Sequence, residues 1–285
     1  MKLNEVLSKT IQFFKEKKFD TARLDAELLI SHALKIPRIQ LYVKFDAPLT
    51  EAELTLCRDS VRRRTAGEPV AYITEEKGFY GLMFKVKSGV LIPRPETEMI
   101  IDEVLAHHKK FPKENIRILD LGAGTGCIGL TLLKNIPTAH LVSVEKSEIA
   151  FSVVKENAET LQVMDRCELL HQDVNTLDWE KLGKFDYLVS NPPYIDTNDS
   201  AVEINVRKYE PAEALFAVDR GFSFLKHWST KAAALLNSPG LILFEMGASQ
   251  GAEMKKHFLD LAPLISDVEV LKDLSGLDRI IKARA

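Results

Sequence analysis

The sequence predicts an α/β protein, in which a mostly parallel sheet covered by helices follows a small helical bundle. Three observations support this fold class. Apolar residues recur at helix spacing in the first part of the chain, short apolar runs alternate with amphipathic segments from about residue 117 onward, and a glycine-rich loop directly follows the first of those runs. Apolar strands in a βαβ rhythm are typical of a parallel sheet that is buried on both faces.

The first two elements are predicted to be helices. Between Leu3 and Phe14 the apolar residues form one stripe at helix spacing. A second helix is expected to open after Asp20 and to stop near Pro37, because proline cannot continue a helix.

A third helix has a recognisable start and end. Thr50 and Glu53 have the spacing of a capping box, in which each side chain accepts a hydrogen bond from the other residue's backbone N–H. The helix is expected to end at Gly67, since glycine commonly ends helices. We therefore interpret residues 1–85 as an N-terminal helical bundle.

After the bundle, the residue pattern becomes typical of β-strands. Turn residues around Phe79–Gly81 and alternation at Phe84–Lys87 predict a connecting β-hairpin at about residues 79–92, and the α/β domain is assigned to residues 93–285. The strands of this domain are predicted at the apolar runs Ile116–Leu119, Leu141–Val144, Cys167–Leu170, Tyr187–Val189 and Leu241–Phe244.

Composition excludes several classes of protein. The formal net charge of the 285-residue chain is −3, which gives no basic footprint for general nucleic-acid binding. The three cysteines, Cys57, Cys127 and Cys167, are scattered, so neither a disulfide framework nor a metal site is expected. No apolar run approaches a membrane span, and the N-terminus does not resemble a signal peptide. We expect a cytoplasmic protein that contacts no membrane and no nucleic acid directly.

The glycine-rich loop Asp120–Gly126 indicates a cofactor site. Gly124–Gly129 also matches GxGxxG, so a nicotinamide cofactor has to be considered. However, Asp120 precedes the first glycine at the carboxyl end of a strand, where ligands bind in open α/β sheets. A carboxylate there repels a pyrophosphate but suits an ammonium group. S-adenosylmethionine carries an ammonium group and no phosphate, so the loop favours this cofactor.

Two more acids follow the next two predicted strands. Glu145 ends the second strand, where it can accept hydrogen bonds from ribose hydroxyls. Asp173 follows the third strand, where its carboxylate can accept from an adenine amine while Val174 packs on the ring. Acids at three successive strand ends support a site for an adenosine-containing cofactor.

A rigid corner, Asn191-Pro192-Pro193-Tyr194, ends the fourth predicted strand. Each proline fixes its own φ, removes a backbone donor and restricts the residue before it, so the corner presents acceptors. A planar nitrogen with two hydrogens would be held by the Asn191 side-chain oxygen and the Pro192 carbonyl, and the Tyr194 ring can stack on the flat group.

The corner suits the methylation of a nitrogen that is a poor nucleophile. An amide or aniline-like nitrogen is a poor nucleophile because its lone pair is delocalised. Two acceptors that hold its hydrogens orient the lone pair toward the methyl group and stabilise the positive charge that develops on nitrogen. Asn191, Pro192 and Tyr194 are therefore the expected catalytic residues.

Taken together, three motifs resemble the HemK-like (PrmC) family of peptide chain release factor glutamine methyltransferases: Asn191–Tyr194, Asp120–Gly126 and Leu91–Glu98. The likeness covers nearly the whole chain, because further blocks are similar to the family at Gly67–Ile73, Tyr209–Pro211 and Gly276–Arg279. The four-residue corner alone is shared with DNA and RNA enzymes that methylate amino groups.

The resemblance implies a Rossmann-like class I S-adenosylmethionine-dependent methyltransferase sheet of seven strands with the last one antiparallel. It also implies the substrate, the glutamine of a release factor's Gly-Gly-Gln motif, which is methylated on its side-chain amide nitrogen (N5). The bundle would help to grip the release factor, and the enzyme is expected to be a monomer.

The resemblance also carries over site residues. Asn191, Pro192, Pro193 and Tyr194 would hold the glutamine, with Asn191 touching cofactor as well as substrate. The cofactor would be lined by Asp120, Gly122, Ala123, Gly124, Thr125, Gly126, Glu145, Asp173 and Val174.

Two positions depart from the family pattern. Glu145 stands where the family usually has aspartate, which is one methylene shorter. Glu75 stands where glycine is expected, and Gly78 is a candidate to take over the turn.

Three alternatives remain open at this point. Methylation of an adenine amine in DNA or RNA would use Asn191 and Tyr194 in the same way, because a flipped adenine also presents a flat NH₂ group. The net negative charge of this chain is poorly suited to binding nucleic acid. Methylation of a ribosomal-protein glutamine is closer in chemistry. A non-catalytic scaffold that binds S-adenosylmethionine would have no use for the corner.

Overall fold

The computed structural model describes residues 1–285 and divides into two compact units. One unit comprises residues 1–76 together with 204–209, and the other comprises 77–203 together with 210–285. None of the helices combines the length and the apolar character that crossing a membrane would require.

The N-terminal unit is helical. Its first five helices are α1 (Leu3–Glu16), α2 (Ala22–Leu34), α3 (Gln40–Val43), α4 (Glu51–Thr65) and α5 (Val70–Thr74). The predicted stripe of α1 is buried and packs with apolar residues of α2 and α4, which confirms the helical periodicity.

The start and end of α4 follow the predicted capping chemistry. Thr50 Oγ1 accepts from the Glu53 backbone N–H at 3.3 Å, and Glu53 Oε2 accepts from the Thr50 N–H at 2.8 Å. A cap of this kind stabilises a helix by about 1 kcal/mol. The chain leaves the helix through Gly67, whose φ of +95° lies in the left-handed region that glycine adopts freely.

Glu75 lies where the sequence departs from the expected glycine. It follows α5 with φ +58° and ψ +21°, in the left-handed conformation that costs most side chains about 1–2 kcal/mol. Gly78 does not take over this turn, because it lies within a strand and has no positive φ. The chain therefore makes the turn with a strained glutamate.

The hairpin is shorter and earlier than the predicted span of 79–92. Its strands are β1 (Glu76–Phe79) and β2 (Leu82–Lys85). Tyr80 and Gly81 form its two-residue turn with φ of +48° and +72°, the signature of a type I′ turn. The left-handed Tyr80 is fixed by hydrogen bonds to Glu98 Oε1 (2.8 Å) and Asp102 Oδ1 (2.7 Å), which local sequence patterns do not reveal.

The remaining strands and helices of the second unit alternate along the chain. After the hairpin come α6 (Glu98–Lys110), β3 (Ile116–Leu121), α7 (Cys127–Asn135), β4 (Ala139–Glu145), α8 (Glu148–Thr160), β5 (Cys167–His171), β6 (Phe185–Ser190) and β7 (Ile195–Asp196). The chain then passes through α9 (Ile204–Tyr209), which belongs to the N-terminal unit, and continues with α10 (Ala212–Leu215), β8 (Phe216–Ala217), α11 (Ser223–Leu235), β9 (Leu236–Glu245), α12 (Gly251–Leu259), β10 (Asp267–Lys272) and β11 (Asp278–Arg284).

Seven strands form the main sheet, in the order β10-β11-β9-β6-β3-β4-β5. All neighbouring pairs from β9 to β5 are parallel, and β11 pairs antiparallel with both β9 and β10. The predicted fold, a seven-stranded sheet with an antiparallel last strand, is confirmed. All five predicted apolar runs lie in its strands.

Both faces of the sheet are buried, as continuous apolar strands require. In β3, Ile118 belongs to the apolar cluster on one face, whereas Leu119 and Leu121 belong to the cluster on the other. Helices α6, α7 and α8 contribute to the first cluster, and α11 and α12 contribute to the second.

The order of the strands fixes where a ligand can bind. From the central strand β3 the chain moves to β4 and β5 on one side, and from β6 it moves to β9 on the other. Ligands of open α/β sheets bind in the crevice at such a reversal, beyond the carboxyl ends of the strands. The glycine loop follows β3 and Asn191 follows β6, so both lie at this crevice.

The strain at Glu75 gives a prediction about stability. Glu75→Gly is expected to raise the free energy of unfolding by about 0.5–1 kcal/mol, because glycine adopts a positive φ without penalty. The matched control is Glu76→Gly, one residue later in β1, which should lower it by about 0.5–1 kcal/mol because glycine weakens a strand. Urea denaturation of the three proteins measures both changes, and a loss of stability in Glu75→Gly would contradict the strain.

Candidate active site

A cavity of about 950 Å³ opens at the carboxyl edge of the parallel strands. The predicted site residues on its wall are Gly122, Ala123, Gly124, Thr125, Glu145, Asp173, Val174, Asn191 and Pro193. The other predicted residues, Asp120, Gly126, Pro192 and Tyr194, do not line it.

Two glycines of the loop after β3 have different surroundings. A Cβ on Gly124 would meet no atom within 4 Å, so the backbone there lies open to a ligand. A Cβ on Gly126 would lie 2.5 Å from Val154 Cγ2, so this glycine is required for packing. The loop thus combines a tightly packed base with an accessible backbone, which suits the close approach of a ligand.

Asp120 lies behind the loop rather than on the cavity wall. Its Oδ2 accepts from the Gly129 N–H at 3.0 Å, and its Oδ1 has no hydrogen-bond partner. Burial raises the pKa of this carboxyl to about 7, and the neighbouring Glu145 acts in the same direction. Asp120 is therefore not placed on the wall, where the predicted contact with a ligand ammonium group would require it. Its hydrogen bond instead joins the loop to α7.

Glu145 reaches from the end of β4 to the glycine loop. Its Oε2 accepts from the Gly124 N–H and its Oε1 accepts from the Ser147 N–H, each at 2.8 Å. Each carboxylate oxygen retains acceptor capacity toward the cavity, because a carboxylate offers about four lone-pair sites. The side chain is thus a fixed pair of acceptors on the wall.

The turn after β5 forms another part of the cavity wall. Asp173 Oδ1 accepts from the backbone N–H and the side-chain amide of Asn175 at 2.8 and 2.9 Å, while its Oδ2 makes no hydrogen bond within the protein. Val174 is buried beside it, and Phe224 and Trp228 of α11 add an aromatic wall that the sequence reasoning missed. Trp228 Nε1 donates to Asn175 Oδ1 at 3.1 Å, which ties this wall to the same turn.

The corner after β6 places two of its four residues on the wall. Asn191 donates from Nδ2 to Thr97 Oγ1 at 3.3 Å, and its Oδ1 makes no hydrogen bond within the protein. Pro193 also lines the cavity, whereas Pro192 is buried behind it. The corner therefore presents an unpaired acceptor to the cavity.

Glu245, at the end of β9, is a buried carboxylate behind this corner. It accepts from Thr97 Oγ1 at 2.5 Å through Oε2, and from the Tyr194 hydroxyl at 3.0 Å through Oε1. The pKa of Glu245 is raised, mainly by burial, although the hydrogen bonds from the two hydroxyls and the charge of Arg279 act in the opposite direction. Burial and the nearby Glu245 raise the pKa of Tyr194, so its hydroxyl is neutral and donates. The sequence reasoning missed Glu245, although it is a further acid at a strand end.

The backbone of the corner is held from behind. Gln250 Nε2 donates to the carbonyls of Tyr194 (3.0 Å) and Arg220 (3.2 Å), and its Oε1 accepts from the Gly247 N–H at 2.8 Å. Gly221 passes so close that a Cβ there would lie 2.0 Å from the Tyr194 carbonyl oxygen. The corner is therefore a fixed element of the site.

The charges on the wall distinguish between classes of cofactor. Its two cations are already paired, Arg94 with Glu210 at 2.5 Å and Lys146 with Glu213 at 3.7 Å. Among the other polar side chains on the wall, those of Glu145, Asp173 and Asn191 offer acceptors. Such a wall suits the hydroxyl and amine donors of S-adenosylmethionine and gives a pyrophosphate no free cation.

Comparisons with known proteins identify the family of the chain. The PrmC N-terminal domain model matches residues 5–74, and the methyltransferase small domain model matches residues 101–217. The release factor glutamine methyltransferase of Chlorobaculum tepidum is 39% identical over 99% of this chain and 96% of its own. The protein of the same name from Geobacter sulfurreducens is 38% identical, again over 99% of this chain and 96% of its own.

Solved structures share the fold at low identity. The catalytic domain of human Mettl16 in complex with MAT2A 3′UTR hairpin 1 is 14% identical with a TM-score of 0.53, covering 82% of this chain and 80% of that one. The N-terminal domain of human METTL16 in complex with SAH is 16% identical with a TM-score of 0.52, covering 70% and 75%. At this identity the likeness concerns the fold alone.

The relatives decide the family, because they are more than 30% identical over nearly their whole length. The cofactor of the methyltransferase domain is S-adenosylmethionine, in agreement with the acceptor-rich wall. The chain belongs to the family of release factor glutamine methyltransferases.

Proposed function

We propose that this protein methylates the side-chain amide nitrogen of the glutamine in the Gly-Gly-Gln motif of a peptide chain release factor. The observation that carries the proposal is the unpaired Asn191 Oδ1 on the wall of the cavity, at the start of a proline corner that has few donors of its own. A glutamine amide offers the two hydrogens that such a corner can hold.

The cofactor supplies an electrophilic methyl group on a positively charged sulfur. The corner acts on the other reactant, since an amide nitrogen has a delocalised lone pair and attacks poorly. Asn191 Oδ1 accepts one hydrogen of the glutamine amide and the Pro192 carbonyl accepts the second. These contacts orient the nitrogen and stabilise the positive charge that it gains, both of which are large contributions to catalysis.

No strong base is needed in the corner. The amide nitrogen becomes a strong acid once it has gained the methyl group, so its proton leaves readily to Asn191 Oδ1 or to water. Tyr194 serves the substrate through its ring, because its hydroxyl is already bound to Glu245. Tyr194 is partly exposed, and in this proposal its ring stacks on the flat amide.

The other predicted residues hold the cofactor in this proposal. Glu145 accepts from the ribose hydroxyls, and Asp173 accepts from the adenine amine through its unpaired Oδ2. Val174 and the aromatic wall contact the adenine ring, and the open backbone at Gly124 allows the cofactor to approach. Asp120 acts from behind by fixing the loop.

The division of labour in this proposal follows the two domains that the sequence predicts. The helical bundle of residues 1–85 recognises the release factor, and residues 93–285 bind the cofactor and carry out the chemistry. The match of the PrmC N-terminal domain model to residues 5–74 supports this division. The enzyme acts as a monomer in the cytoplasm, where release factors act.

Parallel methyl-transfer assays test the substrate. With a radiolabelled methyl donor, we expect label on a release factor and none on its Gly-Gly-Ala variant, because alanine offers no amide nitrogen. Ribosomal proteins and DNA should remain unlabelled. Label on a ribosomal protein or on adenine, with an unlabelled release factor, would overturn the proposal. Cofactor binding without any transfer would indicate a scaffold.

Asn191→Ala tests the corner. We expect turnover to fall by about 10²–10³-fold, because a donor or acceptor aimed at developing charge contributes on this scale. The cofactor dissociation constant should change by less than about threefold, since the loss is in the transition state. Asn135→Ala, which removes an exposed side chain at the end of α7, is the matched control and should have normal turnover. Near-normal turnover of Asn191→Ala would rule out this mechanism.

Glu145→Ala tests the cofactor assignment. Loss of hydrogen bonds to a charged group should weaken binding of S-adenosylmethionine by about 1–3 kcal/mol, measured by calorimetry. Glu145→Asp keeps the charge but retracts it from the Gly124 N–H, so its affinity should be intermediate. Glu148→Ala, an exposed neighbour in α8, is the control and should bind normally. An unchanged affinity in Glu145→Ala would exclude the assignment.

A further inference from the structure

A chain of three side chains leads from the corner into the interior of the sheet domain. Asn191 Nδ2 donates to Thr97 Oγ1 at 3.3 Å, and Thr97 Oγ1 donates to Glu245 Oε2 at 2.5 Å. Thr97 and Glu245 are each only 1% exposed, so water cannot substitute for either partner. Only Asn191 reaches the cavity with a polar group that remains unpaired.

The hydroxyl of Thr97 decides which end of the Asn191 amide faces it. A hydroxyl has one proton and two lone pairs, and the buried carboxylate takes that proton. Thr97 can therefore only accept from its other neighbour. The neighbour must be the NH₂ group of Asn191, because the carbonyl end of the amide has no hydrogen to give.

The orientation of the amide matters for the substrate. With its NH₂ group toward Thr97, Asn191 presents Oδ1 to the cavity and can accept from a glutamine amide. A rotation of the Asn191 amide by 180° would place two donors against the two hydrogens of the substrate. Oxygen and nitrogen are nearly equal in size, so packing alone does not prevent this rotation.

We propose that Thr97, held by Glu245, is a positioning residue that fixes the acceptor end of Asn191 toward the substrate amide. This inference rests on the proposed function, because it concerns the group that the corner holds. The inference assigns a role to Thr97, which directly precedes α6 and is far from the corner in sequence.

A purely structural role for the Thr97 hydroxyl predicts different behaviour. If the hydroxyl only satisfied the buried Glu245, its loss would lower stability and affect binding of both ligands without a selective effect on turnover. Positioning of Asn191 instead predicts a fall in kcat at unchanged cofactor affinity, with little change in KM for the release factor, since the docking surface is unaffected.

The test compares Thr97→Val with Thr97→Ser in the full-length enzyme. Valine has the shape of threonine without the hydroxyl, and kcat with a release factor should fall by about 10- to 100-fold, the scale of a misplaced reacting group. Serine keeps the hydroxyl, and its kcat should stay within about threefold of wild type. Calorimetry with S-adenosylmethionine and thermal unfolding report whether each variant is folded and binds its cofactor.

Thr131→Val is the matched control. Thr131 is fully buried in α7, and its hydroxyl has no hydrogen-bond partner. The same substitution should therefore leave kcat unchanged. If Thr97→Val does not fold, Thr97→Ala replaces it, because alanine removes the hydroxyl and adds no atom.

A double-mutant cycle separates positioning from other effects. In the Asn191→Ala background, under single-turnover conditions, Thr97→Val should cost less than about threefold, because its only target is gone. Wild-type kcat in Thr97→Val, equal losses in the valine and serine variants, or a full loss on top of Asn191→Ala would each overturn the inference. If the wild-type enzyme itself does not label the release factor, the proposed function fails instead.

Discussion

The parallel alignment of five strands is the constraint on which the site depends. Because β3, β4, β5, β6 and β9 run in the same direction, their carboxyl ends lie at one edge of the sheet. Residues that are more than a hundred positions apart in the chain therefore meet there. The shared location of the loop after β3, the acid that ends β4, the acid after β5, the corner after β6 and Glu245 at the end of β9 follows from this one arrangement.

Much of this arrangement could be predicted, because the responsible signals are local. Strands buried on both faces are continuous apolar runs, so β3, β4, β5, β6 and β9 were visible in the sequence. Polar residues that directly follow such runs must lie at the carboxyl edge if the sheet is parallel. The strand pattern therefore predicts that Gly124, Glu145, Asp173 and Asn191 lie on one wall, as the structure has them. The capping box at Thr50 is local in the same sense.

The remainder depends on contacts between distant segments. The hairpin lies earlier than the sequence predicts, because the left-handed Tyr80 of its turn is stabilised by Glu98 and Asp102, which lie in a later helix. In the sequence, Phe224 and Trp228 look like part of an ordinary apolar helix face. Only the folded chain places α11 beside the turn after β5, where both side chains line the cavity. Asp120 illustrates the opposite case, since its position at a strand end was right but its side chain turns toward Gly129.

The close packing of Gly221 behind Tyr194 has a consequence for how this catalytic scaffold can diversify. A Cβ built on Gly221 would lie only 2.0 Å from the Tyr194 carbonyl oxygen, so there is no space behind the corner. The corner therefore cannot move back to admit a bulkier methyl acceptor. Room for a larger acceptor has to come from elsewhere on the wall, such as the segment around Pro93 and Arg94, which lines the same cavity without belonging to the sheet. Substitutions that alter which methyl acceptor is used should therefore occur in that segment, while the corner stays the same.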